Sequence, residues 1–430
     1  MYKKIFAIPG AAAFSIAGAM ARATMSTIGL SMILCLNSMY NEWTSAGIMS
    51  AVYVITAAVV TPFYAKLFDT YGQKRVGMIV SPIQCAFLIA FAVAAYMHAP
   101  LAVLFVLAVL VGMCTYSVGA VVRTRWAWVL RNKPDEYLNT AYALESAVDE
   151  LIFIIGPIVA ASISTSFPPV STIIPFLLFG GISFIGSVVF YNLKSSTPPA
   201  VRTLKNVNVD DVAQAPSHIS EQLRDRNILF YPGVLFLVIA IVLFNSTFSA
   251  FDVTMTAVMK SIGLYHYTGF MLATIAVGSL IGALIFGSRV HTHNPWIRMI
   301  VFMALLAAGI VGVAFSIRSL ALAAIWGIFA GLFVAPTYAS ANMIVREIAP
   351  PHKLTEGLSW VSTGGTVGAS LGSAVSGIFL DHMGHNATLH TLWMCAILAI
   401  PFFFCGYLHV RAFEKKYGAL TTASNESKEN

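Results

Sequence analysis

Long, unbroken runs of apolar residues constrain this chain more than any other feature. Residues 76–97 and 100–122, for example, contain no charged side chain. Hydrocarbon offers the backbone no hydrogen-bond partners, so a segment that crosses it must be a helix or part of a closed barrel, and unbroken runs favour helices. Only 10% of the 430 residues are charged and mean hydropathy is +0.80, whereas soluble domains have about 25% charged residues. We therefore predict an all-α polytopic membrane protein.

Runs of about 20 apolar residues predict twelve transmembrane helices, arranged as two similar six-helix bundles. We treat the first run as an uncleaved helix rather than a signal peptide, and the separation between the ninth and tenth helices rests on the short Ser316–Ser319 turn. The predicted helices lie near 10–36, 45–67, 76–97, 100–122, 138–164, 171–193, 228–255, 264–288, 297–316, 318–342, 355–380 and 388–410.

A polar segment at 194–227 predicts a linker between the halves. It implies an N-terminal bundle at 1–193, a C-terminal bundle at 228–411 and a polar tail at 412–430. The halves also resemble each other locally, because Leu138-Asn139-Thr140-Ala141 at the start of helix five is similar to Leu354-Thr355-Glu356-Gly357 at the start of helix eleven, 216 residues later. An internal repeat of six helices is consistent with both observations.

Basic residues predict the orientation, since short loops rich in Lys and Arg stay on the cytoplasmic side. With Arg123 and Arg125 assigned to the loop between helices four and five, and Arg298 to the loop before helix nine, 22 of the 25 basic residues fall on one side. We therefore expect both termini, the linker and the tail to be cytoplasmic, in a bacterial plasma membrane. The net charge of +7 then reflects topology. Nucleic-acid binding is not expected, because it needs a soluble basic face.

The loop between helices two and three carries the most specific motif. It reads Ala65-Lys66-Leu67-Phe68-Asp69-Thr70-Tyr71-Gly72-Gln73-Lys74-Arg75, which resembles the signature of the major facilitator superfamily. Asp69, Gly72, Lys74 and Arg75 match that signature, whereas Ala65 replaces its usual first Gly and Thr70 its usual Arg. The resemblance implies the twelve-helix fold of these transporters and a loop that latches the cytoplasmic side shut.

The residue types of this loop suit such a role. Asp69 can accept hydrogen bonds from the N-terminus of a neighbouring helix, and Gly72 permits a tight turn. Lys74 and Arg75 can bind anionic lipid headgroups, although an ordinary basic turn explains these two residues as well. Four further stretches resemble a branch of the superfamily found in actinobacteria: Ala21-Arg22, Ala141–Ser146, Gly156-Pro157 and Thr355–Trp360.

Charged residues within predicted helices are candidates for function, because burying a charge in a bilayer costs several kcal/mol unless the charge is paired. The set comprises Arg22, Glu145, Asp149, Glu150, Asp252 and Glu356. Glu145 and Asp149 are four residues apart and share a helix face, from which Glu150 turns away. Arg22 is the only cation that we place at a comparable depth, so we predict that it pairs with Glu145 or Asp149. The pair is either mechanistic or a structural lock on helix five.

Proton coupling would need a carboxylate that titrates during the cycle. One candidate is the unpaired member of Glu145, Asp149 and Glu150, and another is Asp252, which follows a polar stretch at 245–249 but also lies near a helix end. The superfamily often places an Arg within helix four for this purpose. We expect none in the core of helix four here, because Arg123 and Arg125 are assigned to its cytoplasmic end. Without an arginine in the core of helix four, the sequence supports proton coupling less strongly than it supports the fold.

Small residues at helical spacing predict close helix packing. By resemblance to the superfamily, helices two, five, eight and eleven line the interface between the bundles, and plain packing within a bundle is the alternative. The positions concerned are Gly156, Pro157, Gly278, Gly282, Gly364, Gly368 and Gly372.

Together these features predict a secondary transporter for a small organic solute that functions as a monomer in the lipid bilayer. We favour proton-coupled export of drug-like or apolar metabolites, because the helices that line the cavity carry few charges. Uptake of a sugar, an amino acid or another nutrient is the close alternative. A membrane enzyme or a sensor is less favoured, since no nucleophile set, phosphate-binding loop or appended domain is visible. We expect no cofactor and no metal, because His291 and His293 lack a third convergent ligand.

Overall fold

A computed structural model describes residues 2–40, 43–167, 170–193, 197–200, 227–264, 267–289, 294–317 and 319–429. Over these ranges the chain is helical and contains no strand. Most of the predicted linker at 194–227 lies outside the described residues. The chain divides into two compact units, the first built from residues 1–202 with Gly287–Arg289 and the second from the remainder.

The first unit contains nine α-helices among its described residues. They are α1 (Tyr2–Phe6), α2 (Ala11–Ala21), α3 (Ile28–Tyr40), α4 (Trp43–Tyr71), α5 (Gln73–Tyr96), α6 (Leu101–Met113), α7 (Val118–Val129), α8 (Asp135–Ser166) and α9 (Ile174–Asn192).

The described helices of the second unit continue the numbering. They are α10 (Val234–Ser261), α11 (Thr268–Ser288), α12 (Pro295–Phe315), α13 (Leu320–Gly331), α14 (Val334–Ile348) and α15 (Leu354–Glu429). The predicted separation of helices nine and ten is confirmed, because α12 ends at Phe315 and α13 begins at Leu320, while Arg318 between them lies outside the described residues.

The long helix α15 must reverse its direction. A Cβ at Gly364 would lie 3.2 Å from the carbonyl oxygen of Val238, and one at Gly406 would lie 3.3 Å from Cβ of Phe236. A straight helix would separate positions 42 residues apart by about 63 Å, yet both face the first turns of α10. The two arms of α15 therefore correspond to predicted helices eleven and twelve.

Ten described helical segments are long and apolar enough to cross a membrane. The pair α2 and α3 and the first arm of α15 bring the number to twelve, so the predicted fold class is confirmed. Side chains on the outer faces agree with a lipid environment: Ile55, Val59 and Phe63 form a row at four-residue spacing on α4 and are 59–67% exposed. Such a row would be unfavourable in water and is favourable in hydrocarbon.

Three predicted helices are interrupted. Helix one breaks between Ala21 and Ile28, and helix ten between Gly331 and Val334. Helix four breaks between Met113 and Val118 and then continues to Val129, seven residues beyond its predicted end. The restarts at Val118 and Val334 lie 216 residues apart, the same offset as the sequence similarity between helices five and eleven. Interrupted helices in repeated halves often mark the binding region of a transporter.

Candidate functional site

The break in helix one positions Arg22. The backbone N–H of Arg22 donates to the carbonyls of Ala19 and Met20 at the end of α2, and its Nε donates to the carbonyl oxygen of Gly18 at 3.1 Å. A cation at a helix C-terminus also interacts favourably with the helix dipole. Arg22 is 1% exposed, so its guanidinium needs anionic partners nearby.

Glu145 on α8 is the first of these partners and is enclosed by donors. One of its oxygens, Oε2, pairs with Nη2 of Arg22. The other, Oε1, accepts hydrogen bonds from the Ser15 hydroxyl at 2.8 Å and from the indole N–H of Trp126 at 2.7 Å. Glu145 has no exposed surface. Its carboxylate therefore links α2, α7 and α8, and its lone pairs are satisfied from three sides.

Asp149, one turn further along α8, bridges two arginines. Its Oδ1 lies 2.6 Å from Nη1 of Arg22, and its Oδ2 lies 2.8 Å from Nη2 of Arg123. The Asp149 side chain keeps 21% exposure. The predicted pairing of Arg22 with the acidic face of helix five is thus present in the structure, with both carboxylates rather than one.

Arg123 is the residue that sequence reasoning missed. We assigned it to a loop, but α7 extends to Val129 and leaves Arg123 6% exposed inside the unit. Arg22 is therefore not the only cation at this depth, and helix four does carry a buried arginine. The Nε of Arg123 has no hydrogen-bond partner among the described residues. We call Arg22, Arg123, Glu145 and Asp149 the charge quartet, whose formal charges cancel.

Glycines allow the quartet to assemble. A Cβ at Gly119 would lie 2.9 Å from Nη1 of Arg123, and a Cβ at Gly156 would clash with Oγ of Ser26. Ser26, in the break of helix one, also donates to the carbonyl of Ile152 on α8 at 2.8 Å. Gly119 thus leaves room for the guanidinium of Arg123, and Gly156 lets α8 approach the break that carries Arg22.

Arg125 was also assigned to the loop but is completely buried. It donates to Oε1 of Gln73 at 3.1 Å and to the carbonyl of Phe190 at 2.8 Å, and its guanidinium lies 3.7 Å from the centre of the Phe190 ring. Amide, carbonyl and aromatic partners stabilise this cation together. Arg125 thereby ties α7 to the start of α5, directly after Gly72.

The motif loop has a sharp turn. Asp69 is half-buried near the end of α4, and Gly72 has a φ of +91°, which L side chains rarely adopt. Lys74 is exposed and donates to Oδ1 of Asn192 at 2.9 Å, while Arg75 is exposed. The turn that we predicted at Gly72 is present, and the latch role of the loop stays a prediction.

The remaining charged candidates lie outside the quartet. Glu150 is half-buried on α8, and Glu356 is 7% exposed in the first turn of α15. Asp252 belongs to the second unit, where it is exposed in an apolar groove beside Val253, Thr256 and Leu380.

The glycines predicted at the bundle interface make close contacts within their own units. Cβ atoms at Gly278 and Gly282 would clash with the carbonyl oxygens of Ile328 and Leu332. On α15, Gly368 and Gly372 approach the carbonyls of Val242 and Ser246 on α10 in the same way, and Gly364 approaches Val238. Pro157 lies inside α8, which continues past it to Ser166. These contacts support a packing role, and the interface role stays a prediction.

The four positions of the quartet have uncharged counterparts in the second half of the sequence repeat. At the offset of 216 residues, Val238, Ala339, Val361 and Gly365 occupy the positions that correspond to Arg22, Arg123, Glu145 and Asp149. Gly365 instead faces a neutral pair, in which the Tyr338 hydroxyl donates to Oδ1 of Asn245. The four charged positions of the quartet are therefore uncharged in the second half of the repeat.

Comparisons with known proteins agree with this fold. A sequence profile described as Major Facilitator Superfamily matches residues 14–328 and 299–428. A crystal structure of a bacterial homologue of the iron transporter ferroportin, in an outward-facing state, matches with a TM-score of 0.71 at 16% identity, covering 92% of this chain and 98% of that one. No individually curated protein matches the sequence significantly.

Two further solved structures are similar. The human organic anion transporter MFSD10 (TETRAN) matches with a TM-score of 0.67 at 13% identity, covering 93% of this chain and 99% of that one. A variant of the fucose:proton symporter FucP of E. coli matches with a TM-score of 0.65 at 14% identity, covering 94% of this chain and 99% of that one. Identities this low establish the fold alone.

The chain belongs to the major facilitator superfamily, because the family profile matches most of its length. It is a multi-pass membrane transporter of this fold.

Proposed function

We propose that this transporter moves a small organic solute by alternating access and that Asp149 binds the coupling proton. The observation that carries the proposal is the difference in exposure within the charge quartet: the side chain of Asp149 is 21% exposed, whereas those of Arg22 and Glu145 are 1% and 0% exposed. A coupling carboxylate must reach water to exchange its proton, and its ionised form needs a counter-charge inside the bilayer. Asp149 combines these properties, and the position of Arg123 beside it supports the assignment.

Export remains the first direction that we propose, with uptake of a nutrient as the alternative. The preference for apolar solutes rested on the scarcity of charge near the cavity. The second buried arginine, Arg123, weakens that argument and favours a solute that carries charge. Among the fold relatives, one is described as an organic anion transporter and another as a fucose:proton symporter. Both descriptions are compatible with proton-linked solute transport by this chain.

The remaining parts of the proposal follow from the sequence. We assign the latch on the cytoplasmic side to the loop that contains Asp69, Gly72, Lys74 and Arg75, and the sliding surface between the bundles to the glycines of helices five, eight and eleven. Both termini are placed in the cytoplasm of a bacterial cell, and the chain acts as a monomer. Membership of an actinobacterial branch is proposed from the stretches around Arg22, Glu145, Gly156 and Glu356.

Reconstitution tests the coupling. The purified full chain is placed in liposomes with an imposed pH gradient, and a panel of neutral, anionic and cationic solutes is assayed for movement in both directions. We expect gradient-driven movement of at least one solute, its loss in Asp149→Asn, and its retention in Asp252→Asn. Movement that is insensitive to the gradient, or that persists in Asp149→Asn, would remove the proton-coupling proposal and leave the fold unchanged.

A further inference from the structure

The two carboxylates of the quartet are bound very differently. Glu145 is enclosed, with three donors from Ser15, Arg22 and Trp126. Asp149 receives only arginine donors and remains accessible. If Glu145 left its donors, a buried charge would stay unpaired, so we treat its position as fixed. Asp149 is partly exposed, so another anion can take its place beside the arginines at a lower cost in free energy.

The two arginines also differ. Each of the three guanidinium nitrogens of Arg22 has an acceptor, namely Gly18, Asp149 and Glu145. Nη2 of Arg123 donates to Asp149, and the same nitrogen lies 3.5 Å from the hydroxyl oxygen of Ser146. The Nε of Arg123 is buried and has no partner among the described residues. Arg123 therefore has Asp149 as its acidic partner in the quartet and retains unused donor capacity. A buried donor without an acceptor is unfavourable unless a ligand supplies one.

From this geometry we infer that Arg123, with Nη1 of Arg22, forms a binding site for a small monoanionic solute such as a carboxylate, and that Asp149 occupies this site until it is protonated. The inference rests on the proposed proton coupling and names the solute class that the coupling would serve.

The surroundings of Asp149 support this assignment. Arg22 approaches from the break after α2 and Arg123 approaches from α7, while α8 itself contributes Glu145, Ser146 and Glu150. The other helices packed against α8 include α3 and α9, which carry no charged residue, and α1, whose Lys3 and Lys4 lie near the chain terminus. Protonation of Asp149 thus changes the formal charge of the quartet from zero to +1, and one monoanion restores neutrality.

Charge balance sets the order of events in the proposed transport cycle. One proton binds to the Asp149 carboxylate to give the neutral acid, which releases Nη2 of Arg123. The solute carboxylate then accepts hydrogen bonds from the guanidinium of Arg123, a geometry that favours bidentate binding. Proton and monoanion move together as a neutral pair, so the loaded site carries no net charge when it crosses the bilayer. Because proton and monoanion move in the same direction, an inward proton gradient drives uptake by this cycle, and export by the same cycle is driven by the solute gradient.

Chemical rescue tests the site without knowledge of the natural solute. The probe is methanesulfonate, a monoanion that stays ionised across the pH range, and the matched neutral probe is dimethyl sulfone. The full chain with Asp149→Ala is purified in detergent, and thermal unfolding is followed while each probe is added. We expect saturable stabilisation by methanesulfonate, with an apparent affinity about tenfold or more above that for dimethyl sulfone, since hydrogen bonds to a charged group are the stronger ones.

Three comparisons make the result decisive. Adding Arg123→Gln to Asp149→Ala abolishes the stabilisation, whereas adding Arg131→Gln, which removes an exposed arginine packed on Trp128, does not. Glu145→Ala shows no rescue, because its cavity is closed. The wild-type chain binds methanesulfonate more tightly at pH 5.5 than at pH 8, and Asp149→Asn loses this dependence. Equal responses to both probes, or binding that survives Arg123→Gln, would overturn the anion site.

This outcome is separable from the outcome for proton coupling. If gradient-driven transport occurs in liposomes but the anion does not bind, the solute class is wrong and the coupling stands. If methanesulfonate binds as described but the pH gradient drives no solute, the anion site stands and the coupling to protons is wrong.

Discussion

Trp126 donates its indole N–H to Oε1 of Glu145 at 2.7 Å, and neither side chain has exposed surface. The indole also packs edge-on against the ring of Phe14, with 4.6 Å between ring centroids. One side chain therefore satisfies a buried carboxylate and fills the space between α2 and α7. Glu145 depends on this contact as well as on Arg22.

Replacement of Trp126 tests that dependence. We expect Trp126→Phe to lower the free energy of unfolding by about 1–3 kcal/mol, because Oε1 of Glu145 loses a donor in a site that has no exposed surface. Thermal unfolding in detergent measures the effect. The matched control is Trp128→Phe, whose half-buried ring packs on exposed Arg131, and its expected change is within about 0.5 kcal/mol. Equal effects in the two variants would contradict the role of the indole N–H.

Substitution of Arg22 should lower the free energy of unfolding more than substitution of Asp149. In Arg22→Ala the Glu145 carboxylate stays buried without its cation, and we expect destabilisation by about 3–5 kcal/mol. Combining Arg22→Met with Glu145→Leu should recover part of this loss, because the uncompensated charge is removed. Yield and thermal stability of the purified variants provide the measurement. An Arg22→Ala protein as stable as the wild type would show that the pair is dispensable.

The motif turn depends on a conformation that suits glycine. Since Gly72 has a φ of +91°, Gly72→Ala should destabilise the chain by about 1–3 kcal/mol. Gly181 lies within α9 with no atom near its Cβ position, so Gly181→Ala should instead stabilise by about 0.5–1 kcal/mol. Opposite shifts in melting temperature would confirm the difference. Shifts of the same sign would contradict the conformation described for Gly72.

The contact between α10 and α15 can be tested with one pair of glycines. A Cβ at Gly368 would clash with the carbonyl oxygen of Val242, whereas no atom lies within 4 Å of the Cβ position at Gly377 on the same helix. We expect Gly368→Ala to cost about 1–3 kcal/mol through displacement of the backbone. Gly377→Ala should be tolerated. If thermal unfolding does not distinguish them, the close approach of α10 and α15 is not required for stability.

Hydrophobicity and charge spacing predicted much of the architecture because the bilayer imposes strong constraints. The twelve helices follow from their length and apolarity, and the Arg22 partnership follows from the cost of a lone charge in hydrocarbon. The breaks in helices one, four and ten were not predicted. Nothing in an uncharged run such as Cys114–Ser117 distinguishes a local break from a continuous helix when only hydropathy is considered.

The error at Arg123 followed from the missed break in helix four. A helix of average spanning length that begins at residue 100 ends near 122, so the next arginines appeared to lie in a loop. Because the chain unwinds at Cys114–Ser117 and then resumes, the same span reaches Val129 and takes Arg123, Arg125 and Trp126 into the interior. When the burial of Arg123 and Arg125 is unknown, an application of the positive-inside rule assigns both to a cytoplasmic loop.

The presence of the quartet in only one of the two repeats has a consequence for how such a transporter can diversify. One repeat holds the four ionisable groups of the quartet, and a substitution of Arg22 or Glu145 there leaves a buried partner without its counter-charge. Its counterpart has Val238, Ala339, Val361 and Gly365 at the same positions, where no electrostatic partner has to be preserved. Mutations can therefore accumulate at these positions of the second repeat and reshape the space offered to a solute, while the ion pairs of the first repeat are kept.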